Sequence, residues 1–432
     1  MSGIVTQQPN HIALVDCNNF YVSCERLFRP DLAEKPVAVL SNNDGCIVSR
    51  SQEVKALGIK MAVPVHQVEH LIKQHNIQLF SSNYTLYADL SARVMHCLTA
   101  FSPRVDVYSI DEAFLDLDRW NLKILPLGQE IKYSIQRWVG IPVSVGIAPT
   151  KTLAKLANLA AKKWPKAGGV VDLSLPERRK KLMKLLPVSD VWGVGKQLSQ
   201  QLNKHGIYTI WDLHQQPAER MNKLFNITLA HIVQELQGYP VIAFNKKIAA
   251  KKQIICSRSF KKRLNEKAEL LEMLALFCLR AAEKLRAQNS VTGKLSIYIR
   301  SNPFDKKTYY EKSADYLLTS ATQDSRDLVK IAKILLDKIY KKGPLYQKAG
   351  VTLGNIRPMI EHSHSHSQLD LFASSENTQP EKLMHAVDQI NQRFPHAVTL
   401  ATVGDKKWRM MEGLHNSARY TTDWNQLAKV IS

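Results

Sequence analysis

Two short apolar runs in this chain carry carboxylates where a buried strand would not ordinarily tolerate them. The first, His11-Ile-Ala-Leu-Val-Asp-Cys-Asn-Asn-Phe-Tyr21, holds Asp16. The second, Val107-Tyr-Ser-Ile-Asp-Glu-Ala-Phe-Leu-Asp-Leu117, holds the adjacent pair Asp111 and Glu112. Ionised carboxylates beside buried apolar strands cost free energy unless something pairs with them. Three converging carboxylates, in a chain that is basic elsewhere, point to a pair of divalent cations acting on a phosphate substrate. By spacing alone, a strand-end cap at Asp16 and a solvated hairpin turn at Asp111-Glu112 account for the same residues equally well. Adjacent strand residues point to opposite faces, so Asp111 and Glu112 converge only at a turn or bulge.

A net charge of +21 and a pI near 9.6 imply an anionic polymer as partner, with an anionic membrane as the competing reading. No apolar run approaches the length of a membrane span, and no basic amphipathic helix stands out. The N-terminal residues lack the charged and apolar regions of a secretion signal, so a cytoplasmic protein is expected. The cysteines at 17, 24, 46, 97, 256 and 278 include no CxxC pair and read as reduced thiols. A chain of 432 residues should divide into several domains.

Residues 11–18, 36–40, 47–48, 105–117 and 141–147 read as strands, with helices over 53–57, 84–100 and 150–164. This order fits an α+β core with a mixed sheet and helices on one face. From Ser174 to about 240 the chain is helical and glycine-punctuated. Residues 245–263 hold eight Lys or Arg and no acid, a basic tether leading into a strand at 254–260. Helices at 265–287 and 324–341, the second capped by Asp324, enclose strand-like 295–299 and precede 350–354, a second small α+β unit. From Glu361 the chain is Ser/His-rich and reads as loosely ordered through about Pro380. His362, His364 and His366 suit a spacer better than a metal site.

Four motifs occur in order: Asp16-x-Asn-x-Phe-Tyr-x-Ser-x-Glu25, Ser82-Asn-Tyr-x-x-Tyr-x-x-x-Ser91, Tyr108-Ser-Ile-Asp-Glu-Ala-Phe114 and Gly146-Ile-x-x-x-Lys-x-x-Ala-Lys155. Together they resemble the Y family of translesion DNA polymerases, and more closely its UmuC branch, over about residues 11–354 and again at Gln368–Phe372 and Arg419-Tyr-Thr-Thr422. The resemblance implies a multidomain right-hand polymerase: palm at 1–35 and 81–173, fingers at 36–80, a helix-hairpin-helix thumb at 174–240, a basic linker at 241–252, a small α+β little finger at 253–356, and a tail at 357–432.

It also implies roles. Asp16, Asp111 and Glu112 match the catalytic carboxylates that hold two Mg²⁺ ions, with the Cys17 carbonyl as a further ligand. Tyr21, next to Phe20, matches the aromatic that crowds a ribose 2′-hydroxyl; by residue type alone, both rings read as core. Ser49, Lys55 and Lys162 match triphosphate-binding positions, although a solvated helix face is the usual fate of such lysines. Gln52 and Lys55 stand where most relatives carry Tyr and Arg. The turn at Gly193 and Gly195, with Lys196, offers backbone N–H groups to a DNA phosphate, and Lys251, Lys252 and Arg258 add cations. Gln368, Leu369, Asp370, Leu371 and Phe372 resemble a sliding-clamp docking peptide.

The expected activity is error-prone, template-directed DNA synthesis across lesions in the bacterial SOS response, with no segment left for a proofreading exonuclease. Expected partners are primer–template DNA, dNTP, a processed UmuD dimer, the RecA filament and the sliding clamp, and no membrane. Two other classes stay open: a non-catalytic DNA-binding scaffold of an SOS complex, and a helix-hairpin-helix nuclease or glycosylase.

Overall fold

The first strand, β1 (Ile12–Cys17), is buried at all six positions, which a strand allows only when both faces of its sheet are covered. A computed structural model describes residues 11–117, 123–244, 250–305, 308–359, 379–394, 397–403 and 413–427. The chain forms two units, Met1–Lys247 with Gly413–Ser432, and Ile248–Glu412.

In the first unit, a five-stranded sheet runs β5 (Val105–Val107), β6 (Glu112–Asp116), β1, β7 (Val143–Ala148), β8 (Val170–Asp172). Every pairing is antiparallel except β7 with β8. Alternation sends the residues of β1 into two cores. Ala13, Val15 and Cys17 join α1 (Phe20–Phe28), α4 (Tyr84–Leu98) and α5 (Ile124–Trp138). Ile12 and Leu14 meet α6 (Lys151–Lys163) on the other side. Helices therefore cover both faces, not the single face expected from element order. Gly146 on β7 permits the close approach of α6, because a Cβ there would meet the Asn158 nitrogen at 2.2 Å and the Ala154 oxygen at 2.4 Å.

A smaller sheet, in the order β3 (Ile47–Arg50), β2 (Val37–Leu40), β4 (Gln78–Ser81), carries α2 (Gln52–Ala56) and α3 (Glu69–Gln74). Its own core gathers Ala38, Leu40, Ile47, Val54 and Ile59. Beyond β8 the chain is helical: α7 (Pro176–Leu185), α8 (Lys196–Lys204), α9 (Ile210–His214), α10 (Ala218–Leu224) and α11 (Ile227–Gln237). Buried Glu235 of α11 ties this layer to α6. One of its oxygens accepts the Thr152 N–H at 3.0 Å, in the first turn of α6, and the other accepts the Val241 and Ile242 N–H groups. A carboxylate there complements the positive end of the helix.

The second unit is a four-stranded antiparallel sheet in the order β11 (Glu311–Thr322), β10 (Ser290–Ser301), β12 (Tyr346–Pro358), β9 (Ile254–Leu264). It is packed by α12 (Lys267–Ala287) and α13 (Ser325–Ile339). Asp324 caps α13 as expected, accepting the Arg326 N–H. A further helix, α14 (Gln379–Arg393), is held on α12 where Arg286 donates to both oxygens of Asp388 at 2.6 and 2.7 Å. The tail is thus structured in part, and its Gly413–Leu427 segment belongs to the first unit. The Ser/His stretch lies outside the described residues. Among the described residues no helix is long and apolar enough to cross a membrane.

Because backbone atoms, not a yielding side chain, surround Gly146, Gly146→Ala should lower stability by about 3 kcal/mol or more. Chemical denaturation would read this as a lowered midpoint; an unchanged midpoint would show that α6 can slide outward freely.

Candidate active site

Strand pairing brings the two acidic clusters together. Asp16 on β1 lies opposite Glu112 on β6, and the Cys17 N–H donates to the Asp111 carbonyl at 2.9 Å. The Tyr108 and Ser109 N–H groups both donate to the Glu112 carbonyl, so residues 108–111 form the turn that adjacent acids require. Asp16 and Glu112 share the strand face of Leu14 and Phe114, the face that α6 covers.

Two lysines of α6 meet them. Lys155 Nζ donates to the Glu112 oxygens at 2.8 and 2.7 Å, and Lys162 Nζ stands 2.5 Å from Asp16 Oδ1. Seven residues apart on one helix, these lysines project from the same face. Asp16 is only 8% exposed. Burial drives its pKa up to about 7; the Lys162 ammonium opposes the rise, and a hydrogen bond with Glu112 adds to it. Burial also pushes Glu112 upward, but hydrogen bonds from Asp16 and Lys155 outweigh this and hold the carboxyl below its usual range. Below neutral pH the pair therefore retains a proton between its oxygens.

The third acid, Asp111, accepts a hydrogen bond from Ser109 Oγ at 2.6 Å within its turn. Among the described residues no three His, Cys, Asp or Glu side chains form a ready metal-holding group; two acids converge and the third stays in the turn. The donors nonetheless suit Mg²⁺, being oxygens only and including buried Asp16 and half-buried Glu112, carboxylates that repel until a cation or proton joins them.

The chain leaves β1 through Asn18 and Asn19, the latter at φ 47°, and enters α1. Asn19 gathers three expected nucleotide residues. Ser49 Oγ donates to its carbonyl at 3.4 Å, Lys55 Nζ to its Oδ1 at 2.5 Å, and Tyr21 lies in the helical turn that it caps. Burial, then the nearby Arg50 and Lys162 cations, holds the Lys55 pKa below its usual value. Phe20 is buried in the core, whereas Tyr21 is half-buried and stacks on Tyr87 with ring centroids 4.5 Å apart.

The remaining expected residues do not join this cluster. Gly193 (φ 89°) and Gly195 precede Lys196 at the start of α8. Neighbouring Trp192 donates through Nε1 to the Tyr108 hydroxyl at 3.2 Å. Lys251 and Lys252 are exposed at the start of the second unit, and Arg258 lies on β9 opposite Ala349. Gln368–Phe372 lie outside the described residues. Sequence reading gave no role to Asn19, Arg50 or Tyr87, although Tyr87 stands in a quoted motif, and it did not pair Lys155 with Glu112. The seven-residue spacing of Lys155 and Lys162 was the available signal for the last.

Residues 15–159 match the impB/mucB/samB family, residues 176–207 the helix-hairpin-helix motif of that group, and residues 251–371 its C-terminal domain. Residues 381–430 match a domain of unknown function. The chain is 43% identical to Protein UmuC of Salmonella typhimurium, covering 97% of this chain and 99% of that one. It is 41% identical to Protein MucB of Escherichia coli (96% and 98%) and 27% to DNA polymerase IV 1 of Bacillus subtilis (88% and 89%). Among solved structures, a Y-family DNA polymerase chimera matches with a TM-score of 0.64 at 21% identity, covering 81% of this chain and 99% of that one. That likeness establishes the right-hand polymerase fold.

Lys155→Met should leave Glu112 without its cation and lower stability at pH 7 by about 3 kcal/mol in metal-free buffer. Glu112 is held below its ordinary value of 4.5, so its ion pair contributes above that pH and is lost as pH falls through the depressed folded value. Urea unfolding should therefore show a gap between variant and wild type at pH 7 that closes on acidification; a gap independent of pH would assign the loss to packing alone.

Proposed function

Because this chain belongs to the impB/mucB/samB family of Y-family DNA polymerases, we propose that it is the catalytic subunit of a bacterial SOS polymerase that extends primers across damaged template. One observation carries this reading. The Asp16–Glu112 pair lies beneath two lysines of α6, with Arg50 and Lys55 alongside and Tyr21 on the adjoining helix.

Asp16, Asp111, Glu112 and the Cys17 carbonyl would hold two Mg²⁺ ions, which when bound neutralise phosphate charge and ease loss of the 3′-hydroxyl proton. The primer 3′-oxygen bonds to the α-phosphorus of the incoming dNTP as the bond to pyrophosphate breaks. Lys55, Arg50 and Lys162 supply fixed positive charge to the triphosphate. Tyr21 presents its ring to the sugar and disfavours a 2′-hydroxyl by crowding. Gly193, Gly195 and Lys196, with Lys251, Lys252 and Arg258, hold the DNA backbone without reading sequence.

The net charge of +21 makes that grip strongly salt-dependent. The reading includes a cytoplasmic location, no proofreading exonuclease, and partnership with a processed UmuD dimer and the RecA filament. Gln368–Phe372 dock on the sliding clamp.

On damaged and intact templates with these partners supplied, Asp111→Asn should reduce extension about a hundredfold or more while DNA binding persists. Equal extension by variant and wild type would assign synthesis to another subunit. Replacing Leu371 and Phe372 with Ala should abolish clamp stimulation and spare basal synthesis; undiminished stimulation would remove the docking role from this peptide.

A further inference from the structure

The tail segment Gly413–Leu427 makes a set of contacts with α1, β4 and α4. Gly413 lies so near β4 that an added Cβ would stand 2.3 Å from the Ser81 Cβ. The Ser81 N–H donates to the His415 carbonyl at 2.9 Å, and the His415 N–H returns to Ser81 Oγ at 3.0 Å. Asp44 Oδ2 accepts from both the Leu414 N–H and Ser81 Oγ. Asn83 caps α4, its Oδ1 accepting the Leu86 N–H at 3.3 Å. Its amide nitrogen donates to Ser417 Oγ at 3.0 Å and to the Ala418 carbonyl at 3.1 Å. Ser417 Oγ donates to Glu25 Oε1 at 3.1 Å, and Tyr420 stacks on Phe28 at 4.6 Å with the rings 9° apart. Glu25 and Phe28 belong to α1, so the segment joins α1 to the beginning of α4.

Those two helices hold the ring of Tyr21. Tyr87 of α4 is fully buried and lies nearly parallel to Tyr21, at 14°. Its hydroxyl donates at 2.6 Å to Glu25 Oε1, the same oxygen that Ser417 reaches. Tyr84 stands edge-on to both rings. Glu25 is itself fully buried, and its Oε2 has no protein partner. Its position therefore depends on the few groups that reach Oε1.

We propose that Gly413–Leu427 is a positioning element for sugar selection, fixing Glu25 and the start of α4 so that Tyr87 holds the Tyr21 ring in place. Ser417, Asn83 and Glu25 act through Tyr87 and touch no substrate. The inference rests on Tyr21 as the sugar-facing aromatic. It assigns a task to part of the 381–430 region, for which the family match gives none.

Single-nucleotide primer extension by the full chain, with dCTP and with CTP, should be followed across nucleotide concentrations together with thermal unfolding. The proteins to compare are wild type, Tyr21→Ala, Ser417→Ala, Ser417→Thr and Gly413→Ala. Ser417→Ala and Gly413→Ala should raise the CTP-to-dCTP ratio of kcat/KM about five- to tenfold, chiefly through a lower KM for CTP. Ser417→Thr, which keeps the hydroxyl, should stay near wild type. An unchanged ratio in Ser417→Ala and Gly413→Ala, while Tyr21→Ala admits CTP, would overturn the tail's role and leave that of Tyr21 standing. Equal losses with both nucleotides, accompanied by a lower Tm, would overturn it in favour of a purely structural contact. Unaltered sugar selection in Tyr21→Ala would overturn both readings.

Discussion

Everything at the candidate active site depends on how closely α6 lies against the sheet. The missing side chain at Gly146 sets that distance. It brings two lysines within ion-pairing reach of two acids on neighbouring strands. Without the cations, the Asp16–Glu112 pairing would be a like-charge pair in a buried setting, an arrangement that raises pKa values and costs stability. With them, the acids stay in place, and the lysines offset part of the burial that otherwise favours their protonated form. The same helix is fixed at its first turn by the buried carboxylate of Glu235. The grip on the acids therefore extends into the helical layer that follows the sheet.

Much of this was legible in the amino-acid order. The unbroken apolar run around Asp16 and the turn before Glu112 are local signals, and β1, β5 and β6 form where those signals lie. The coverage of both sheet faces was missed in favour of one face, although the same run carries the signal, since a strand without polar alternation has no face to give to water. The helix α5 was not among the expected elements. Its Pro126 falls in the first turn, and its Gly128 lets α5 settle near Val170 and Ile147.

The partner of each lysine was less legible. A basic helix looks like a solvated surface until the strand register says which residues lie beneath it. Asn19 was similarly silent: an asparagine at positive φ is a turn residue by composition. It becomes a hub only when β3 and α2 deliver Ser49 and Lys55 to it. The tail contacts left no pattern to read. They consist of backbone pairing, single side-chain hydrogen bonds and one aromatic stack, with none of the periodic apolar spacing that marks a packed helix or strand.

The path of the chain has a further consequence. It leaves the first unit after residue 247 and returns at residue 413. The second unit is thus an insertion, joined to the first by two covalent connections. A single proteolytic cut in either connection would leave two fragments held together through the docked Gly413–Leu427 segment. In mechanical terms, a pull applied at the C-terminus loads the Gly413–Leu427 contacts before it reaches the second unit.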